Sequence, residues 1–223
     1  MKRIAITATL LLPMVAFAAD TAQERLDNAA TVFSEIMSTP DKGIPQDLLA
    51  KAQCVVIVPG FKKAAFVVGA EFGRGFAECR HQDGTGWGAP GSVRIEGGSF
   101  GFQIGGSSTD VVMLVMNREG MNKLLGDKFT LGADASVAAG PVGRTASADT
   151  DVKMTAEILA WSRAKGIFAG LSLSGATLRN DEDANTELYG HKVDNKEVLN
   201  GHTASPAGAH RLIAELDKYS MRK

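Results

Sequence analysis

Apolar residues recur at helical spacing near the start of the chain and again near its end; between them the pattern changes to short β-branched runs broken by glycine. Leu26, Ala29, Ala30, Phe33, Ile36 and Met37 form one stripe at a period of 3.6, Thr21-x-x-Glu24 ahead of them makes a capping box, and Pro40 ends the run. A helix with one buried face is predicted there. A short helical turn over 46–52 leads into Cys54-Val55-Val56-Ile57-Val58, which is too short and too β-branched for anything but a buried strand. Short strands are predicted over 64–68, 99–104, 111–116 and 166–178, and a short helix over 118–125, while 152–161 fits either pattern. After Asp181 the chain turns helical. Its last helix is predicted to take Ser205 as N-cap and Pro206 as first helical residue, with Leu212, Ile213, Leu216 and Tyr219 along one face.

Of the 25 glycines, 21 fall between Gly60 and Gly175. Inside strands, glycine marks bulges, tight corners or close backbone approach. The expected class is therefore α+β: a curved, mostly antiparallel, glycine-rich sheet or barrel-like body flanked by N- and C-terminal helices. The glycine-rich stretches have no fixed period, which excludes a solenoid, and the length suits one domain.

Met1-Lys2-Arg3, an apolar run over 4–17 and Ala16-Phe17-Ala18 predict a signal peptide over 1–18, cleaved near Ala18 or Ala19. The run falls short of the roughly 20 residues of a spanning helix, and Pro13 interrupts it. A periplasmic or secreted domain is expected. Loss of Lys2 and Arg3 moves the formal charge from −1 to −3, which disfavours nucleic acid as a partner. Cys54 and Cys79 are the only cysteines, so an oxidising compartment allows a disulfide, with two buried free thiols as the alternative. A zinc site lacks donors, since Cys79 and His81 supply at most two.

Three motifs fail the context their chemistry requires. Gly97-Gly98-Ser99-Phe100-Gly101 matches a nucleophile elbow, but strand-like sequence follows it where a helix must begin. Gly69, Gly73 and Gly75 resemble a loosened dinucleotide fingerprint with no helix after it, and sheet curvature explains them better. Asp181-x-Asp183-x-Asn185 opens like a calcium loop, yet Thr186 and Lys192 occupy the positions of the required glycine and glutamate, so a helix cap is expected. The four histidines show no metal-protease spacing. Neither an enzyme nor a cofactor is expected. The basic residues Lys62, Lys63, Arg74, Arg94, Arg144, Arg163 and Lys165 sit in or beside glycine-rich segments, where backbone N–H groups of turns assist anion binding.

A longer succession of motifs runs through the chain: Ile44-Pro45-x-x-Leu48-Leu49, Val56-x-x-Pro59, Trp87-x-x-Pro90, Gly101-Phe102-Gln103-Ile104-Gly105, Thr109-Asp110, Leu131-Gly132-Ala133-Asp134, Gly140-Pro141-Val142-Gly143-Arg144, Ser162-Arg163-x-Lys165-Gly166 and Tyr189-Gly190. In that order they resemble the SYLF domain over about 20–199, leaving 200–223 as a C-terminal helix packed on or extending from it. The resemblance implies a non-enzymatic lipid-binding module, known in eukaryotic proteins that recognise phosphoinositides at membranes and in some cases bind actin. Bacterial members are stand-alone exported domains. Carried over by position, the contacts to anionic phospholipid are Lys62, Lys63, Arg74, Arg144, Arg163 and Lys165. The mechanism expected is charge pairing of these with lipid phosphates, with apolar residues such as Phe61 dipping into the interface. The first helix departs from the basic amphipathic helix of eukaryotic members, because it carries Glu24, Asp27 and Glu35 against Arg25. The reading is thus an anionic-phospholipid binder of the cell envelope. A structural or protein-interaction module of the periplasm with an envelope protein partner is the alternative, and no actin is expected for an exported chain.

Overall fold

A computed structural model of the chain describes residues 20–39, 43–142, 156–164, 167–169 and 173–220, without the side chains of 65–67, 99–104 and 167–169. The predicted leader, Arg144 and Lys165 lie outside the described residues. Helix α1 (Ala22–Ser38) begins at the capping box, where Thr21 accepts from the Glu24 N–H and the Glu24 carboxylate accepts from the Thr21 N–H. Its stripe of Leu26, Ala29, Ala30, Phe33 and Ile36 is buried against strand β1 and the last helix. Helix α2 (Gln46–Lys51) follows, and β1 then runs without interruption from Cys54 to Cys79.

The separate short strands read over 54–58, 64–68, 99–104 and 111–116 are in fact parts of two very long ones. β1 pairs antiparallel with β2 (Gly91–Val115) along their whole lengths, from Cys54 opposite Val115 to Ala77 opposite Gly91. Bulges between Val58 and Phe61 and between Phe66 and Val68 bend the ladder without ending it. Ser99 lies inside β2 opposite Gly69, which disposes of the nucleophile elbow. The other edge of β2 is shared. β5 (Ile158–Ala164) pairs with its 110–115 segment and β7 (Thr177–Asn180) with its 93–96 segment. β3 (Lys128–Thr130) extends the sheet beyond β7; β4 (Val137–Ala139), in parallel, and β6 (Ile167–Ala169) flank β5. The result is a curled, mostly antiparallel sheet of seven described strands, in an α+β domain as expected.

β1 folds back on itself about residue 67. Twenty-five residues of strand span about 80 Å when extended, yet Cys54 and Cys79 at its two ends are joined by a disulfide with Cα atoms 4.0 Å apart. Between them, Lys63 Nζ reaches Glu71 Oε2 at 2.7 Å, although eight residues of straight strand would separate their Cα atoms by about 26 Å. The two limbs touch where glycine leaves room. A Cβ on Gly73 would stand 2.6 Å from Val58 Cγ1, and one on Gly75 would stand 2.0 Å from the Ile57 carbonyl oxygen. These are the positions that resembled a dinucleotide loop, and close backbone approach is what they serve.

Two apolar clusters hold the sheet. One lies beneath α1, α2 and α6 (His210–Ser220), and includes Val55, Ile57, Phe76, Val112 and Leu114. The other fills the curl with Val56, Val58, Phe61, Val93, Ile95, Met113, Leu131 and Leu178. Helix α3 (Arg118–Leu124), α4 (Glu182–Tyr189) and α5 (Asn195–Leu199) cap its margins. Asp181 is the N-cap of α4, accepting from the Ala184 N–H, as the calcium-like motif was expected to be. At the C-terminus the prediction was off. Pro206 caps a 3-10 turn (Ala207–Ala209) without a side-chain hydrogen bond, and α6 begins only at His210. Arg80 anchors that helix by donating to the Ser220 carbonyl, while Trp87 Nε1 donates to Ser220 Oγ at 2.7 Å.

Glu78 is 1% exposed, and neither carboxylate oxygen has a hydrogen-bond partner among the described residues. Burial, reinforced by the nearby Asp217 carboxylate, pushes its pKa well above 4.5. For an acid, a raised folded-state pKa means the folded chain holds a proton that the unfolded chain releases. Its contribution is complete below about pH 4.5 and is lost at up to about 1.4 kcal/mol per pH unit as pH rises toward the folded value. Glu78→Gln is therefore expected to be more stable than the parent at pH 7, with the advantage vanishing toward pH 4. Urea melts of both proteins across that range check this; a pH-independent difference would refute it.

Candidate functional site

The middle of the β1–β2 ladder leaves the body of the sheet. Over 62–72 and 97–109 each strand has only the other as partner among the described residues, and Lys62, Ala64, Val68, Ala70, Gly105, Gly106, Ser107 and Ser108 are exposed. Alternate residues of a strand face opposite ways. On β1 the odd positions Phe61, Lys63, Glu71 and Gly73 turn into the fold-back, so the even ones turn out. Val68 and Phe72 are 59% and 46% exposed, two of the three large apolar side chains found exposed among the described residues. Phe61, expected from the sequence to dip into a membrane interface, is fully buried in the curl because it lies on the inward-facing set.

Of the six basic residues assigned to lipid contact, the four described, Lys62, Lys63, Arg74 and Arg163, lie in strands, not turns, and do not share one face. Lys62 is exposed opposite Ser108. Lys63, one residue on, points the other way to Glu71. Arg74, on the second limb, makes a two-pronged contact with buried Asp181, at 2.5 and 2.9 Å. Burial alone would raise the Asp181 pKa, but the Arg74 guanidinium holds it below the usual carboxylate value, and Arg74 is correspondingly raised. Arg163 is buried in β5 between Glu35 at 2.7 Å and Asp110 at 3.1 Å, where it ties α1 to the sheet. The acidic face of α1 thus has a structural use.

Sequence reading missed Val68 and Phe72, since a β-branched and aromatic run reads as buried strand. It also passed over Arg179 and Lys128, whose relation to Arg74 and Arg94 depends on strand register and leaves no trace in spacing. Elsewhere, a groove of about 630 Å³ beside α4 is lined by Leu188, Tyr189, His191, Val193, His202 and Pro206. Among the described residues no group of three or more His, Cys, Asp or Glu could hold a metal ion, and no helix is long and apolar enough to cross a membrane.

Fold and surface together define a class: an α+β domain whose distinguishing part is a double-stranded ribbon folded over on itself, with apolar side chains outward. The chain belongs to the SYLF, or Ysc84, family. The family model described as "Ysc84: Las17-binding protein actin regulator" matches residues 96–219, more than half of the chain. The human SH3 domain-containing YSC84-like protein 1 is 34% identical over 191 residues, covering 84% of this chain and 55% of that protein. An SH3 domain-containing protein of Schizosaccharomyces pombe is 38% identical over 178 residues, covering 78% and 41%. LAS seventeen-binding protein 3 of Saccharomyces cerevisiae is 32% identical over 180 residues, covering 79% and 39%. The chain thus spans about half the length of these relatives or less, and none of their names is that of an enzyme.

Proposed function

We propose that this domain binds anionic phospholipid surfaces without catalysis, outside the cytoplasm, and that the folded ribbon is the part that meets the membrane. The supporting observation is the outward placement of Val68 and Phe72 on the second limb of the ribbon, in line with Arg74 on the same strand face. Fully burying such side chains contributes about 1.5–3 kcal/mol each. Each cation near an anionic surface adds about 1 kcal/mol. The sum describes a weak, reversible, salt-sensitive association. The leader-like first 18 residues and the Cys54–Cys79 disulfide support an extracytoplasmic setting. In that setting the actin-regulating role in the family description finds no counterpart.

Co-sedimentation with anionic vesicles at low and high ionic strength tests this. Binding is expected at low salt and should decline as salt rises; its absence in both conditions ends the reading. The double variant Val68→Ser/Phe72→Ser is expected to bind about 100-fold more weakly or worse with an unchanged far-UV spectrum, matching the loss of about 3 kcal/mol of apolar contact, the low end of that range for two side chains. One observation favours a second reading. β1 pairs with β2 alone among the described residues, so its other edge offers backbone groups to a partner strand, and capture of an envelope protein without lipid dependence would support it.

A further inference from the structure

Four cations stand in one line across four adjacent strands. Arg74 on β1 is opposite Arg94 on β2, Arg94 is opposite Arg179 on β7, and Arg179 is opposite Lys128 on β3. Residues directly opposed in a sheet point to the same face, and at about 4.8 Å per strand the row is about 14 Å long. Like charges in that relation repel. Two carboxylates stand at ion-pair distance from them, with Glu187 and Asp183 also near Arg74. Asp181 takes Arg74, and Glu96 is shared, with Oε1 3.0 Å from Arg94 Nε and Oε2 3.4 Å from Arg179 Nη1. Lys128 is exposed with no carboxylate at ion-pair distance among the described residues. Away from the Arg74 end, Arg94, Arg179 and Lys128 have only Glu96 at ion-pair distance among the described residues, an excess of cations over carboxylates.

The shared carboxylate is also poorly seated. Arg94 Nε is buried and has no aligned hydrogen-bond acceptor despite the 3.0 Å approach of Glu96. Glu96 itself is 38% exposed. It occupies, imperfectly, the bridging position between two guanidiniums that a phosphate oxygen fills well. Two residues nearer the ribbon's bend, the same face carries Phe72 beside Glu96. That puts the cation row about 7 Å behind an exposed aromatic ring, and apolar side chains of interfacial proteins enter a bilayer by about 5–10 Å. With Phe72 in the acyl boundary, the row lies at headgroup depth, which selects a lipid phosphate over a free one.

We propose that Arg94, Arg179 and Lys128 form the headgroup-phosphate site of this surface, and that Glu96 is a built-in competitor which the lipid phosphate displaces. The proposal rests on the membrane reading above and adds its site and its regulation. Arg74, held by Asp181, fixes the end of the row and contributes little to the ligand.

The test uses vesicles of phosphatidylcholine doped with phosphatidylglycerol, whose only headgroup charge is its phosphate, with inorganic phosphate as a competitor. Glu96→Gln is expected to bind these vesicles about 5-fold more tightly than the parent, and Arg179→Ala/Lys128→Ala about 30-fold more weakly. Millimolar inorganic phosphate at constant ionic strength is expected to leave vesicle binding unchanged; displacement by it would overturn the preference for a lipid source. Lys128→Glu, at an exposed position, is expected to weaken binding even if the double variant fails to fold. A parent that binds while Glu96→Gln and Lys128→Glu both match it would overturn the site and spare the membrane reading. A parent that binds no vesicles removes both. An increase on neutralising Glu96 separates displacement from a structural role, since losing a purely structural ion pair gives no gain in binding.

Discussion

Gly75→Ala is expected to destabilise the fold by about 3 kcal/mol or more. The new methyl carbon would lie 2.0 Å from the Ile57 carbonyl oxygen and 2.8 Å from Val58 Cα, both backbone atoms that no rotamer change can move. Overpacking a core by a methyl group ordinarily costs about 1–3 kcal/mol. Here the clash separates the two limbs of β1 at their closest approach, and the cost should reach at least the top of that range, a large part of a typical domain's stability. Gly98→Ala on the same ribbon is the control, because among the described residues its Cβ would meet only the Gly69 carbonyl oxygen, at an ordinary 3.8 Å. Urea denaturation of the two variants should give a loss of about 3 kcal/mol or more for Gly75→Ala and within about 0.5 kcal/mol of the parent for Gly98→Ala. Equal stabilities would mean that the limbs do not pack as described.

Removing the disulfide should be nearly as damaging. Cys54 and Cys79 begin and end β1 and lie 25 residues apart, so their bond closes the loop that the folded strand must make in any case. Constraining a loop of that length in the unfolded chain stabilises the fold by about 3.5 kcal/mol in the chain-entropy account. Cys54→Ala/Cys79→Ala is expected to lose about that much, seen as a lower urea midpoint. Dithiothreitol should lower the midpoint of the parent to the same value and leave the double variant unchanged. A parent indifferent to reductant would show that the bond does not carry this stability. Vesicle binding by the double variant at low temperature should persist, because Val68 and Phe72 lie in the middle of the ladder and the cation row is set by the β1–β2–β7–β3 pairings and not by the disulfide.

The core pairings of the fold were legible wherever the relevant physics is local. The capping box at Thr21, the stripe from Leu26 to Ile36 and the Asp181 cap each depend on residues within a turn or two of one another, and each stands as expected. The length of the strands was not legible. A glycine that bends a strand and a glycine that ends one look alike in sequence, and only the partner strand's ladder, continuous past Gly69, Gly73 and Gly75, decides between them. Phe61 shows the same limit, since a bulge beside Pro59 and Gly60 sets which face it takes. The candidate site suffered most. Lys62 and Lys63 read as a pair but face opposite ways, whereas Arg74, Arg94, Arg179 and Lys128, scattered over more than a hundred residues, stand in one row.

By itself the sequence determined the α+β class, the helical ends, the family and the two cysteines available for pairing, because these follow from periodicity, caps and motif order along the chain. Only the tertiary structure decided that β1 doubles back, which apolar side chains it turns outward, and which cations become neighbours. Those outcomes depend on cross-strand register and bulge position, and a shift of one residue in either reverses the face that every side chain presents.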